Sequence, residues 1–245
     1  MATTSIAFEE TPRIRSLLGL ADDALILGHR TSEWTGHAPT LEEELALANI
    51  ALDLIGQATA LYQATGYAED DLAYLRDPPQ FRNALINELP NGDFAFTIAR
   101  LLLVSTASDL FWRGATGAPD PDLAAIAAKA EKETAYHVRH AAEWLIRLGD
   151  GTDLSHRRAQ AAVDALWPYT GELHTGELHT GELIGAGVRA SWLRAVEPVL
   201  ARAKLTRPDD GWMQSGGRDG RHTEHLGHVL AEMQILPRSY PGAVW

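Results

Sequence analysis

The side chains best placed to do chemistry lie on one predicted helix near the middle of the chain. Glu133, His137 and His140 recur at three- and four-residue spacing, so they share a face. Carboxylates with imidazoles are ligands of non-haem metal centres. Bundles of long helices hold two irons with a Glu-x-x-His pair on each of two helices, plus a carboxylate from each of the other two. That motif is missing. None of the ten histidines has a glutamate three residues before it. Only His156 and His222 have an acid there, Asp153 and Asp219, and both pairs adjoin glycines at predicted loops or helix starts. Three residues before His137 stands Thr134, a very poor ligand for iron. An earlier helix should supply the second motif, and there Asp53-Leu54-Ile55-Gly56 stands in its place. Gly56 has no side chain, so a dinuclear site would lose one nitrogen ligand and the outer contacts that orient it. Asp53 therefore reads as a paired interior acid, or as one facing a partner chain. Glu133, His137 and His140 read as a hydrogen-bonded polar cluster.

The other candidates are weaker. Asp109 is an acid within an apolar helix, explained by a helix or chain contact. His222, His225, His228 and Glu232 fall on the last helix. One turn of a single helix rarely gives three ligands to one ion, so these read as interface or surface histidines. Asp22-Asp23 and Asp70-Asp71 sit where surface charge is expected. Thr170-Gly-Glu-Leu-His174 repeats as Thr175-Gly-Glu-Leu-His179 and Thr180-Gly-Glu-Leu183. On a helix, His174 and His179 would point well apart, and glycine every fifth residue disfavours helix. Residues 170–187 are expected to be a surface loop grown by duplication. There is no Gly-x-Ser-x-Gly, no Gly-x-Gly-x-x-Gly and no phosphate loop.

The elements that must position these residues are helical, with almost no strand alternation. Long helices are predicted at about 12–34, 40–66, 93–114 and 120–149, with shorter ones near 155–168, 188–204 and 221–237. Thr40 followed by Glu43 is a capping-box pattern. Asp120-Pro121 places an acid at the cap and proline at the first helical position. The 40–66 helix carries two apolar stripes: Leu41, Leu45, Ala48, Leu52, Ile55, and Leu47, Ala51, Leu54, Ala58, Leu61. A helix apolar over most of its circumference is expected to be buried. An all-α, up-and-down four-helix bundle with accessory helices follows, as one domain over residues 1–245 with residues 1–11 flexible. The 245 residues have no cysteine, which excludes disulfides, iron–sulfur clusters and thiol nucleophiles. A net charge of −12 disfavours nucleic-acid binding. No signal peptide and no uncharged membrane span are read, and a cytoplasmic protein is expected. The seven tryptophans suit an interface or a large helical core.

Several strings are long and non-degenerate. Gly36-His-Ala-Pro39, Leu45-Ala-Leu-Ala-Asn-Ile-Ala-Leu-Asp-Leu-Ile-Gly-Gln-Ala58 and Pro90-Asn-Gly-Asp-Phe94 resemble the C subunits of bacterial phenylacetyl-CoA 1,2-epoxidases. So do His222-Thr-Glu-His-Leu-Gly227, Leu230-Ala-Glu-Met-Gln234 and Pro241-Gly-Ala-Val-Trp245. The similarity runs from about Leu17 to Trp245. It implies a ferritin-like fold and a place in a multicomponent monooxygenase. In such enzymes the diiron centre and the binding of the CoA thioester belong to a separate A subunit. Electrons come from NADPH through a reductase, and the set includes a small B subunit. The C subunit is implied to be a paralogue of A that has lost its metal ligands and supports A structurally. Asp53, Gly56, Thr134 and His137 are then remnants of two Glu-x-x-His motifs, with no catalytic residue and no cofactor in this chain; the sequence leaves open whether the chain forms a homodimer when it is alone. The rival readings are a self-sufficient dimetal oxidase using Asp53, Glu133 and His137, and a helical scaffold outside that complex.

Overall fold

The residue pattern sets where each helix begins. Thr11 caps the first, accepting from the Ile14 amide, and Pro12 occupies its first turn, giving α1 (Pro12–Ser32). Thr40 caps α2 (Leu41–Gln63) through the Glu43 amide, while the Glu43 carboxylate points across the bundle to His140. Asp93 caps α5 (Phe94–Ala115), and Asp120 with Pro121 opens α6 (Pro121–Gly149). Between these long helices lie α3 (Glu69–Tyr74) and α4 (Leu85–Glu88), and after them α7 (Asp153–Leu166), α8 (Gly187–Arg202) and α9 (Glu224–Ser239). The computed structural model describes residues 5–174 and 187–243, and no strand occurs among them.

α1 pairs with α2, and α5 with α6; α2 meets α6 and joins the two pairs into a four-helix bundle. α7 and α8 cover α5, and α9 packs on α3 and α4. The architecture is the expected all-α one. The core runs through Leu18, Ile26, Leu47, Leu61, Ile98, Leu101 and Leu145. Trp167 and Trp192 lie in it with ring centres 5.4 Å apart, and the Trp192 indole donates to the Leu103 carbonyl at 2.9 Å. Most of the described tryptophans thus serve the core; Trp212 is exposed.

The structure differs from expectation at four places. The Asp22-Asp23 pair is not surface charge. Asp22 is fully buried, accepting from the Tyr62 hydroxyl (2.5 Å), the Arg82 amide (2.7 Å) and the Arg76 guanidinium. Asp23 accepts from the Ala84 amide (2.7 Å), Asn87 (2.8 Å) and Arg218 (2.6 Å). Two arginines distant in sequence make both acids tolerable inside. Second, residues 5–11 are not loose: Phe8 packs edge-on against Tyr67, Ile6 donates to the Leu75 carbonyl, and Glu10 pairs with Arg82 at 2.7 Å. Third, Glu172 in the first Thr-Gly-Glu-Leu-His copy is buried. It accepts from the backbone amides of Leu85 and Gly216 at 2.9 and 2.8 Å. His174 packs on Trp192 with ring centres 4.8 Å apart. The copies from Thr175 to Leu183 lie outside the described residues. Fourth, only one stripe of α2 is buried. Leu47, Ala51, Leu54, Ala58 and Leu61 face the core, whereas Leu41, Leu45 and Leu52 face outward, because α1 and α6 cover only part of the helix. By length and composition both α2 and α5 are apolar enough to span a membrane; α5 is mostly buried in the core, α2 less than half.

The end of α6 is fixed by a close approach. A Cβ built on Gly149 would stand 2.1 Å from the Ala203 carbonyl oxygen, so only glycine lets this helix end meet the chain just after α8. Gly149→Ala is expected to destabilise the chain by about 1–3 kcal/mol, measured as the shift in a urea unfolding midpoint.

Candidate functional site

α6 turns its polar face toward α2, and a line of polar contacts joins the two helices. The His137 Nε2 lies 3.0 Å from the Asp53 Oδ2. One turn along, Gln57 donates to the Glu133 Oε2 at 2.9 Å, and Lys129 pairs with the other carboxylate oxygen at 3.3 Å. Toward the start of α2, the His140 Nε2 and Glu43 Oε2 lie 3.3 Å apart without hydrogen-bond alignment. The shared face expected from the spacing of Glu133, His137 and His140 is present. Gln57 and Glu43 join it without having been predicted. Gln57 follows Asp53 by four residues, which places it on the same side of α2 and could have marked it. Glu43 was hidden by its capping-box position.

His137 is fully buried, and burial holds its imidazole below the usual range despite the pull of Asp53 and Glu133. In the neutral ring, Nε2 donates to Asp53 and Nδ1 is left buried without a partner. Burial likewise lowers His140, with Glu43 and Glu143 opposing. Thr134 is buried and its hydroxyl donates to the Ala130 carbonyl at 2.8 Å, the usual way a helical threonine satisfies itself. Gly56 offers no donor atom. A Cβ placed there would meet only the Lys129 ammonium, at 4.0 Å.

These groups do not fit a dimetal centre. Asp53 and His137 spend their facing atoms on each other, Thr134 on its own helix, and Glu133 on Gln57 and Lys129. Among the described residues no three histidine or acid side chains converge as a metal-ligand set. Asp109 stays apart from the α2–α6 line. Its ion pair is with Arg113 at 3.0 Å, and burial raises its carboxyl above the usual range. The histidines near the chain end do not converge either. His222 precedes α9 and is buried, contrary to a surface role, with Nδ1 2.8 Å from Glu88 and Nε2 3.0 Å from the Phe81 carbonyl. His228 lies on the exposed side of α9.

A bundle with this closed polar line can be set beside known proteins. Residues 2–245 match the family described as phenylacetic acid catabolic protein. The chain belongs to this family. Within the phenylacetic acid catabolic proteins, one relative is the C subunit of the 1,2-phenylacetyl-CoA epoxidase of Escherichia coli (strain K12). It is 45% identical over 240 residues, covering 93% of this chain and 97% of the relative. The resemblance drawn from the sequence strings is therefore correct. The family assignment agrees with the all-α, ferritin-like bundle.

Two outcomes are expected from the α2–α6 line. Gly56→Ala should stabilise the chain by about 0.5–1 kcal/mol, since the site is helical and open to a methyl group. Asp53→Ala should destabilise it by about 1–2 kcal/mol through loss of the bond to His137. Chemical unfolding of both variants measures the pair. The histidines also set a pH dependence. His29, His137, His140 and His174 all have folded-state values lowered chiefly by burial, His174 to about 4. The unfolded chain binds protons first, so stability is full above about pH 6.5 and falls on acidification from there toward about pH 4. Urea midpoints should drop between about pH 7.5 and about pH 5.5, and His174→Phe, which keeps a ring against Trp192, should flatten the drop.

Proposed function

We propose that this chain is a non-catalytic structural subunit of a phenylacetyl-CoA 1,2-epoxidase in aerobic phenylacetate breakdown. In this reading it pairs with the diiron-bearing catalytic A subunit. It works in the cytoplasm with the reductase and the small B subunit. The similarity to a C subunit over nearly its full length supports the complex. The observation that carries the non-catalytic role is the Asp53–His137 contact, with Gly56 and Thr134 flanking it. Two positions that would have to donate to metal offer a hydrogen atom and a self-satisfied hydroxyl. The remaining acid and imidazole are bonded to each other. Such a bundle keeps its helices in place by internal pairing and leaves oxygen activation to a partner built around metal. The chain's contribution is then to hold the catalytic partner's helices in position.

The test is purification of the chain alone and co-expressed with the catalytic A subunit. The expected result is a stable complex, substoichiometric iron in the isolated chain, and about two irons per complexed pair. A failure to form the complex overturns the proposal. So does recovery of about two irons per isolated chain, or epoxidation of phenylacetyl-CoA by this chain and reductase without the A subunit.

A further inference from the structure

We infer that Asn91 is a site of spontaneous deamidation, held in check in the folded chain by the end of α1. This does not rest on the epoxidase reading. The sequence has four asparagines, and only Asn91 is followed by glycine. Deamidation begins when the backbone nitrogen of the next residue attacks the asparagine Cγ. A side chain on that next residue crowds the approach, and glycine has none.

The fold requires both residues of this pair. Gly92 has φ +60°, and a Cβ there would stand 3.2 Å from the Phe96 Cβ and Cγ, so glycine makes the turn into α5. Asn91 serves Arg100, which is fully buried and has no carboxylate against it among the described residues. Arg100 donates to the Leu89 carbonyl and to the Asn91 Oδ1. Burial, with Arg30 nearby, pulls its guanidinium down to about 9. The Asn91 Nδ2 donates to the Arg30 carbonyl at 2.6 Å and to the Glu33 carboxylate at 2.9 Å. One side chain thus ties the end of α1 to α5.

These contacts act on the reaction in opposite directions. Arg100 draws electrons from the Asn91 Cγ and favours the oxyanion formed on attack. The two donations from Nδ2 hold the amide to α1, and it must leave them to close on its own backbone. Two such bonds, one of them to a charged group, slow closure about a hundredfold. Gly92 is exposed, so water can take its amide proton. The Gly92 nitrogen then bonds to Cγ, the Cγ–Nδ2 bond breaks, and the side-chain nitrogen takes up a proton and leaves as ammonia. Water opens the resulting five-membered imide at either carbonyl, giving aspartate or isoaspartate, with no oxidant or reductant consumed. Aspartate keeps an oxygen on Arg100 and gives that buried cation a carboxylate, while both donations to α1 are lost. The reaction exchanges a tie between two helices for an ion pair with one of them.

The experiment follows the full chain by peptide mass spectrometry at mildly alkaline pH, folded and in guanidinium. Isomerisation at Asp150, Asp210 and Asp219, each also before glycine, changes no mass and is not counted. In guanidinium Asn91 should react ahead of Asn49, Asn83 and Asn87. In the folded chain Asn91 should be about a hundredfold slower. Glu33→Ala should speed the folded chain about tenfold at Asn91, with helical circular dichroism and urea midpoint showing that the fold persists. Glu33→Gln, which can still accept from Nδ2 without the charge, should fall between, and it supplies the test if Glu33→Ala does not fold. Another asparagine reacting first in guanidinium overturns the site. Equal rates in folded and unfolded wild type, or folded Glu33 variants no faster than wild type, overturn the restraint by α1.

Discussion

Two adjacent carboxylates on α1 hold the irregular part of the chain to the bundle. Asp22 and Asp23 receive Arg76, the amide of Arg82, the amide of Ala84, Asn87 and Arg218. These partners come from the stretch between α2 and α5 and from the segment before α9. An ion pair inside a protein adds little net stability, yet removing one partner strands the other and costs about 3–5 kcal/mol. The junction therefore works as a specification. The arrangement of those segments satisfies both acids, and Asn87 of α4 takes part directly. Burial pushes Asp23 above the usual carboxyl range even with Arg218 beside it, and pushes the Tyr62 phenol up as well.

The same rule governs the line between α2 and α6. Buried polar groups must find partners, and they can find them in metal or in each other. Here Asp53 takes His137, Gln57 takes Glu133, and Lys129 sits beside the position that has no side chain. A lysine can neutralise carboxylates that a metal would otherwise neutralise, without bringing redox chemistry. The contacts between α2 and α6 thus run between protein groups, with the His137 Nδ1 left without a partner.

Much of this was legible in the sequence, because the deciding signals were local. The caps at Thr40 and Asp120, the period of each long helix, and the face shared by Glu133, His137 and His140 depend on residues within a turn or two. That no Glu-x-x-His pair occurs could be read from residue identities alone, with Gly56 and Thr134 at the two positions considered. What was not legible depends on residues far apart in the chain. Asp22 and Asp23 looked like surface charge because nothing near them announces Arg76 or Arg218. His222 looked like a surface histidine because Glu88 is 134 residues away. Which stripe of α2 is covered depends on where α1 and α6 stop, and helical period does not carry that information.

The repeated pentapeptide acquires a genetic meaning from Glu172. Tandem sequence of this kind changes copy number by slippage during replication. Such events would ordinarily be hazardous beside a protein core. In this chain the first copy already fills both backbone donors, from Leu85 and Gly216, and its His174 already lies on Trp192. The contacts of the first copy close at His174, before the second and third copies begin in the sequence.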